Sequence, residues 1–185
     1  MPEITTARLI LRPVQLSDAP FIQANFADDD ILRVMRPPVP YPVYPADGAV
    51  DFIKNVVLPQ HARGTHHAFI IRHKQDDVPM GSVGVKQNEH SGWELGFWLA
   101  KAFRGEKYMP EAVKGIMRWL FQNTDATQLS VFNAVSNNAS SLVQQRAGCT
   151  LLGLQPAIPP YHCGDTEEQS WEMTRERFFT LHGTE

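Results

Sequence analysis

The sequence is poor in cysteine, with only Cys149 and Cys163 in 185 residues. Two cysteines in a chain of this length are ordinary in a reducing compartment, and they exclude a small scaffold held together by several disulfides. The seven histidines follow no paired-cysteine or helical His-x-x-x-His spacing, so we expect no metal site. Cys149 follows the glycine that ends a predicted helix, where a core residue is more typical than a nucleophile.

A block of positive charge and a long apolar run are also missing. Lys and Arg number 17 against 20 Asp and Glu, a net charge of −3, and no basic cluster supplies the counterion release that dominates nucleic-acid binding. The longest stretch without a charged residue, 126–145, is rich in Gln, Asn, Ser and Thr and cannot cross a membrane. Residues 1–13 lack the charged-then-apolar order of a secretory signal, so we expect a cytoplasmic protein.

The chain does have enough apolar residues, 43%, for one core, and we expect a single domain over residues 1–185. Its most unusual segment is rich in proline. That segment contains Pro37, Pro38, Pro40, Pro42 and Pro45. The spacing forbids a helix and indicates a stiff, extended loop. The loop either packs on the core or forms a wall of a binding cleft, and the two interpretations are compatible.

Apolar patterns along the chain predict a mixed sheet with helices on both faces, an α+β arrangement. The predicted strands are 8–12, 68–71, 81–85, 93–99, 129–135 and 169–174, with a turn from Asn88 to Gly92. The predicted helices are 17–28, one that begins after Asp47, 108–121 and 138–147. The helix over 108–121 has the clearest signal, because two neighbouring rows of apolar residues at i, i+4 spacing form a broad face.

The junction from Leu99 to Glu111, between a strand and this helix, is the segment whose residues suggest chemistry. A helix start presents N–H groups without intrahelical acceptors, and the peptide dipoles add partial positive charge. Gly105 lets the backbone approach a ligand closely, while Arg104 and Lys107 add full charges. The junction therefore suits a phosphate or pyrophosphate. The alternative is an ordinary helix entrance with solvated charges.

Four segments in order along the chain resemble one known family. They are Arg8–Pro13 followed by Asp18-Ala19, Trp93–Leu99, Arg104–Ala112, and Asn137–Ser140 followed by Gly148-Cys149. Together they resemble the GNAT N-acetyltransferase superfamily, in its RimJ/RimL-type branch. The third segment is similar to the acyl-CoA-binding motif of that superfamily, and the fourth to the Asn-x-x-Ser…Gly-Phe element of the branch.

The resemblance implies a GNAT fold with a mixed, mostly antiparallel sheet of about six to seven strands and helices on both faces. It implies direct transfer of an acetyl group from acetyl-CoA to a primary amine, on a protein N-terminus or a small molecule, and it allows a homodimer. The residues expected at the cofactor are Phe97, Trp98 and Leu99 along the pantetheine arm, Arg104, Gly105, Glu106, Lys107, Tyr108 and Met109 at the pyrophosphate, and Asn133, Asn137 and Arg146 elsewhere.

Two positions depart from the family pattern. Lys107 stands where the loop usually has a second glycine, and Cys149 stands where the later element has an aromatic residue. If the backbone at residue 107 needs a positive φ, lysine there is strained by about 1 kcal/mol or more. A right-handed path through the loop would avoid that strain.

Glu94 and Ser140 are the candidate catalytic residues. Strand alternation places Glu94 on one face with Gly96 and Trp98, so that its carboxylate can take a proton from an ammonium group or orient the group that does. The alternative is a carboxylate that faces solvent or pairs with Lys or Arg. By the resemblance, Ser140 donates to the leaving thiolate. The alternative is that Asn137 and Ser140 form a helix cap, and this capping role is compatible with the catalytic one.

Two rival functions remain at this point. One is a CoA-binding sensor or partner-binding module without catalysis, which Lys107 in place of glycine favours. The other is a scaffold whose loop of proline and tyrosine recruits a protein.

Overall fold

The computed structural model describes residues 2–88 and 92–184. The predicted turn between Asn88 and Gly92 falls on residues 89–91, which lie outside the described residues. The strands are β1 (Ile4–Thr5), β2 (Leu9–Pro13), β3 (His66–His73), β4 (Pro79–Asn88), β5 (Gly92–Leu99), β6 (Gln128–Ala134), β7 (Thr150–Pro156) and β8 (Glu167–Thr174). The helices are α1 (Ala19–Phe26), α2 (Asp29–Leu32), α3 (Gly48–Phe52), α4 (Leu58–Ala62), α5 (Tyr108–Asn123), α6 (Asn138–Ala147) and α7 (Arg175–His182).

The strands form one sheet in the order β1-β2-β3-β4-β5-β6-β8-β7, with β5 and β6 parallel and their neighbours antiparallel. The mixed, mostly antiparallel architecture is confirmed, but the sheet has eight strands where we expected six or seven. Strand β1 is too short to give a pattern. Strand β7 is an exposed edge strand whose register shifts between Leu151 and Gly153, so it lacks the alternation by which a half-buried strand is recognised.

Helix α5 fills the core on one face of the sheet. Its two apolar rows are buried against side chains of β2, β4 and β5, as their spacing predicts. The fully buried members are Ala112, Val113, Ile116, Met117 and Leu120. Because α5 follows β5 directly, its position fixes where the junction between the two elements emerges from the sheet.

The opposite face is covered by α1 and by the segment from α3 to α4. Its core consists of Val14, Ala19, Ile22, Ala49, Ile53, Val57, Ala68 and Ile70. A π-helical turn over Ile53–Val57 joins α3 to α4, just before Pro59, which has no N–H to donate into the helix. Asp47 is the N-cap residue of α3, as expected, although its side chain makes no capping hydrogen bond. Helices therefore lie on both faces.

The two halves of the sheet diverge between β5 and β6. Among the described residues, these parallel strands pair at Trp93 with Leu129 and at Glu94 with Ser130 and nowhere else. On its other edge β5 pairs with β4 over its whole length, and β6 pairs with β8 over its whole length. Each strand is therefore held by its own half of the sheet, and a wedge-shaped gap separates them beyond Glu94. We call this gap the opening.

One carboxylate ties the first strands to the start of α5. Glu111 accepts hydrogen bonds from Thr6 Oγ1 at 2.6 Å, from the Arg8 backbone N–H at 2.8 Å and from Arg8 Nε at 2.8 Å. Burial alone would raise the pKa of Glu111, but these hydrogen bonds outweigh it and hold that pKa below its ordinary value. The folded state is therefore stabilised by the ionised form of Glu111.

We predict that Glu111→Gln lowers the free energy of unfolding by about 1 to 2 kcal/mol near neutral pH, because charge-assisted hydrogen bonds are lost. With a lowered pKa in the folded state, the stabilisation by Glu111 is present above its unfolded pKa and is lost as the pH falls through the folded value. The difference between wild type and variant should therefore shrink in acid, which urea unfolding at a series of pH values measures.

The matched control is Glu3→Gln, which removes an exposed carboxylate near the same strands and should leave the free energy of unfolding unchanged. If the difference in the free energy of unfolding between wild type and Glu111→Gln stayed constant as the pH is lowered, a role for the ionised carboxylate would be contradicted.

Candidate active site

The junction between β5 and α5 is an open turn of backbone at one end of the opening. Gly105 has a φ of +96°, and a Cβ built there would meet nothing within 4 Å. Within the described part of the chain, no protein group accepts a hydrogen bond from the N–H of Gly105, Lys107, Tyr108 or Met109. Because α5 begins at Tyr108, these donors lie at the positive end of its dipole and suit an anion.

Lys107 adopts the left-handed conformation, with φ +61° and ψ +21°. The right-handed path that would avoid strain is therefore not taken, and the lysine carries the cost of about 1 kcal/mol that a glycine would not. The side chain of Glu106 is exposed, and its backbone carbonyl accepts from Arg8 Nη1 at 3.1 Å. Arg8 also stacks on the ring of Tyr108 and thereby fixes the turn from outside.

Arg104 does not point its charge into the turn. Its guanidinium pairs with Asp28 and Asp30, each at 3.2 Å, and its Nε donates to the Leu99 carbonyl at 3.1 Å. Lys101 lies 3.7 Å from the same Asp30. Acidic residues at the start of α2 thus hold Arg104, one of the two basic residues predicted beside a phosphate, and leave the backbone donors and Lys107 for an anion. A pairing across more than 70 positions of chain gives no signal in the sequence.

The backbone of Phe97, Trp98 and Leu99 runs along the β5 side of the opening, where β6 no longer pairs with it. The Trp98 side chain points to the face of α1, where it stacks on Phe21 at 5.8 Å and meets Phe26 edge-on at 5.6 Å. The predicted alternation of β5 is therefore confirmed.

Glu94 lies where the two half-sheets last touch, at the narrow end of the opening. Its side chain is 15% exposed, accepts a hydrogen bond from Asn88 Nδ2 at 2.9 Å and lies 3.4 Å from Lys86 Nζ. The alternative interpretation, a carboxylate paired with a lysine, is thus realised. A Cβ at Gly96 would meet nothing within 4 Å, so space is open beside Glu94 on the same face. The catalytic role of Glu94 stays a prediction.

Helix α6 begins on the other side of the opening. Asn137 is its N-cap and accepts from the Ser140 backbone N–H at 3.1 Å, which confirms the capping interpretation. The Ser140 hydroxyl accepts from Gln144 Nε2 at 3.0 Å. Asn133 does not face a cofactor with a free amide: Nδ2 donates to the Ala134 carbonyl at 2.9 Å and to Ser141 Oγ at 3.2 Å. Arg146 is exposed in the last turn of α6.

A buried carboxylate that the sequence did not single out holds the proline-rich segment in place. Glu168 on β8 accepts from Arg36 Nη1 at 2.8 Å, from Tyr161 Oη at 2.7 Å and from Gln155 Nε2 at 2.9 Å. Burial, with the hydrogen bond to Glu168, raises the pKa of Tyr161 and keeps its phenol neutral. The ties hold residues 36–45 against the loop between β7 and β8. Nothing distinguishes Glu168 from neighbouring acidic residues in the sequence.

The same segment makes further contacts with that loop. The ring nitrogen Nε2 of His162 lies 2.7 Å from the Val39 carbonyl oxygen, and the ring of Tyr41 stacks on the ring of His162 at 5.0 Å. The interpretation that the segment packs on the protein is thus confirmed, and its role as a wall of a binding cleft stays a prediction.

Burial also shifts the pKa values of the remaining candidates for chemistry. Burial raises the pKa of Cys149 to about 12, so its thiol is not a nucleophile at neutral pH. Burial lowers the pKa of His61 and of His66 to about 4, and His61 Nε2 accepts from the Ala68 N–H. Over residues 2–88 and 92–184, no three His, Cys, Asp or Glu side chains are placed to hold a metal ion, and no helix is long and apolar enough to span a membrane.

Comparison with known proteins gives the family. The profile of the family described as Acetyltransferase (GNAT) domain matches residues 8–150. No curated protein sequence matches the chain. The structure of RimL, a ribosomal protein alpha-N-acetyltransferase in complex with coenzyme A, has a TM-score of 0.79 and 17% identity, over 94% of this chain and 98% of that one.

Two further structures illustrate the range of similar proteins. A ribosomal-protein-alanine acetyltransferase from Vibrio fischeri has a TM-score of 0.79 and 16% identity, over 96% of this chain and 99% of that one. The self-immunity acetyltransferase MccE, in complex with acetyl-CoA and AMP, has a TM-score of 0.78 and 16% identity, over 91% and 93%. At these identities the similarity establishes the fold. With the profile covering most of the length, the chain belongs to the GNAT acetyltransferase domain family.

Proposed function

We propose that this protein transfers an acetyl group from acetyl-CoA to a primary amine by direct attack. The observation that carries the proposal is the row of N–H donors without protein acceptors at the start of α5, which lies beside the opening between β5 and β6. A diphosphate held by these donors would direct the rest of the coenzyme along the opening. The complexes of RimL with coenzyme A and of MccE with acetyl-CoA support this choice of cofactor.

The cofactor would be held mainly by backbone. The N–H groups of Gly105, Lys107, Tyr108 and Met109 would bind the diphosphate, and the unpaired edge of Phe97–Leu99 would bind the amides of the pantetheine arm. The side chain of Asn137 caps α6 through Ser140, so it would reach the arm only by giving up that bond. Asn133 would support α6 rather than touch the cofactor. Arg146 remains a candidate for the nucleotide end.

The reaction moves one proton from nitrogen to sulfur. The amine attacks the thioester carbonyl as a neutral nucleophile, and its surplus proton leaves toward Glu94, directly or through water. The C–S bond then breaks, its electron pair goes to sulfur, and the thiol gains the one proton that the amine lost. An N–H on the free edge of β5 would stabilise the oxyanion, and Ser140 would hydrogen-bond the departing sulfur.

The acceptor is proposed as a class. RimL and the Vibrio fischeri enzyme are described as acetyltransferases of ribosomal proteins, which supports a protein N-terminus, and a small amine fits the same chemistry. The site has a carboxylate at its narrow end, and the whole chain has a net charge of −3; both suit a cationic acceptor. We place the activity in the cytoplasm, and we propose that a homodimer is compatible with it.

A second candidate function is a CoA-binding module without catalysis. The pairing of Glu94 with Lys86 favours it, because the lysine occupies the proposed base. Purified protein mixed with acetyl-CoA and a panel of peptides and amines separates the two. Release of free thiol that depends on the acceptor supports the transferase. Tight CoA binding with thiol release at background on every acceptor would establish the module instead.

We predict that Glu94→Gln lowers kcat by about a hundredfold and changes its pH profile, because the amide cannot take up a proton. The dissociation constant for CoA should stay within about twofold, since the diphosphate donors are untouched. Steady-state kinetics across pH and titration calorimetry measure the two effects. The control Glu167→Gln removes an exposed carboxylate of β8 and should change neither. An unchanged pH profile in Glu94→Gln would remove Glu94 from the mechanism.

We predict that Lys107→Gly raises the free energy of unfolding by about 0.5 to 1 kcal/mol, because glycine adopts a φ of +61° without strain. Lys107→Ala removes the same charge but keeps the strain, and is therefore the matched control. If backbone donors hold the diphosphate, both variants bind CoA within about threefold of wild type. A loss of affinity shared by both variants would show instead that the lysine side chain binds phosphate.

A further inference from the structure

We propose that Gln144 is a positioning residue, which turns the Ser140 hydroxyl into a hydrogen-bond donor aimed away from the helix and toward the leaving sulfur. The inference rests on the proposed function, because it concerns the thiolate that acetyl transfer releases. It assigns a task to a buried side chain that the mechanism above does not use.

The orientation of the Gln144 amide is fixed by a short chain of hydrogen bonds that begins at the backbone. The Ala134 carbonyl can only accept, so the group 2.9 Å from it must be the Nδ2 of Asn133 and not its oxygen. The Oδ1 of Asn133 then faces α6 and accepts from Gln144 Nε2 at 3.4 Å. The NH₂ end of Gln144 is therefore the end that lies 3.0 Å from Ser140 Oγ.

This orientation decides what the Ser140 hydroxyl can do. Because Gln144 donates to Ser140 Oγ, the single hydroxyl proton of Ser140 points elsewhere, and the backbone of Ser140 is held by its N–H bond to Asn137. A hydroxyl that accepts one hydrogen bond also becomes a stronger donor in the next, by about 10 to 30% in condensed phase. Ser140 lies in the first turn of α6, the helix that follows β6, and β6 is the strand that borders the opening opposite β5.

The arrangement has a cost that an apolar residue would avoid. Gln144 is completely buried, and among the described residues its Oε1 has no hydrogen-bond partner. A buried carbonyl without a partner is destabilising, whereas an apolar side chain of similar length would pack there without that penalty. The amide is thus poorly explained by stability and well explained by the orientation of Ser140.

The step that this orientation serves is the breakdown of the tetrahedral intermediate. The C–S bond breaks and its electron pair goes to sulfur, where the Ser140 O–H donates a hydrogen bond to the developing thiolate. An alcohol is a far weaker acid than a thiol, so Ser140 keeps its proton or replaces it at once from the proton that the amine releases. An amine and a thioester thus give an amide and a thiol, and the atoms balance.

The test is a double-mutant cycle between Gln144→Met and Ser140→Ala, with acetyl-CoA and the acceptor found in the panel. We expect Gln144→Met to lower kcat by about five- to tenfold, the effect of one lost hydrogen bond in the transition state. The KM for acetyl-CoA should stay within about twofold, and Tm should be unchanged or higher because the unpartnered carbonyl is removed. In the Ser140→Ala background, Gln144→Met should cause no further loss of kcat.

The matched control is Gln145→Met, the same change at the exposed neighbouring position, which should leave kcat and Tm at the wild-type values. Wild-type kcat in Gln144→Met, or equal losses with and without the Ser140 hydroxyl, would overturn the proposal while leaving the transferase function intact. A lowered Tm with kcat falling in proportion to the folded fraction would show a purely structural role and overturn it as well. A wild-type protein that releases no thiol with any acceptor would overturn the proposed function, and the role of Gln144 with it.

Discussion

The structure depends on the separation of β5 from β6 after two residue pairs. Backbone N–H and C=O groups on the facing edges of the two strands then have no strand to pair with. Burying such groups without a hydrogen-bond partner would raise the free energy of the folded state. The fold tolerates this because each strand keeps a full ladder on its other edge, with β4 and with β8. The free edges therefore need water or a ligand with its own amides, and the pantetheine arm of CoA has two amides in a row.

Because β5 and β6 are parallel, the opening between them is suited to an anion. Because β5 and β6 run the same way, the helices that follow them, α5 and α6, both begin at the same end of the sheet, on either side of the gap. The charged side chains nearby form ion pairs that connect elements of the fold: Arg104 pairs with Asp28 and Asp30, and Arg36 pairs with Glu168. These ties hold α2 to the junction between β5 and α5 and the proline-rich segment to β8, so that backbone rather than arginine is left for an anion.

Part of the fold and of the site could be predicted from the sequence, because interactions between neighbouring residues determine it. The apolar rows of α5, the alternation of β5 and the N-cap at Asn137 are set by residues within a few positions of one another, and the structure confirms each. Contacts between distant residues are different. The capture of Arg104 by Asp28 and the burial of Glu168 under Arg36 join positions 76 and 132 residues apart, and no spacing rule signals them. Strand β7 was missed for the opposite reason, because an exposed edge strand has no buried face to set a period.

Lys107 at the start of α5 and Gln144 inside α6 each break a local rule, and they bear differently on enzyme and sensor. Lys107 bears a left-handed backbone that glycine would adopt freely, and either function could retain it, since both need the diphosphate turn. Gln144 has a buried carbonyl without a partner among the described residues, while its Nε2 donates to Ser140 Oγ. A module that only binds CoA needs the α5 donors and the opening, but it has no leaving sulfur for an oriented hydroxyl to meet. Of the two departures, Gln144 is therefore the one whose proposed role requires catalysis, and it favours the enzyme.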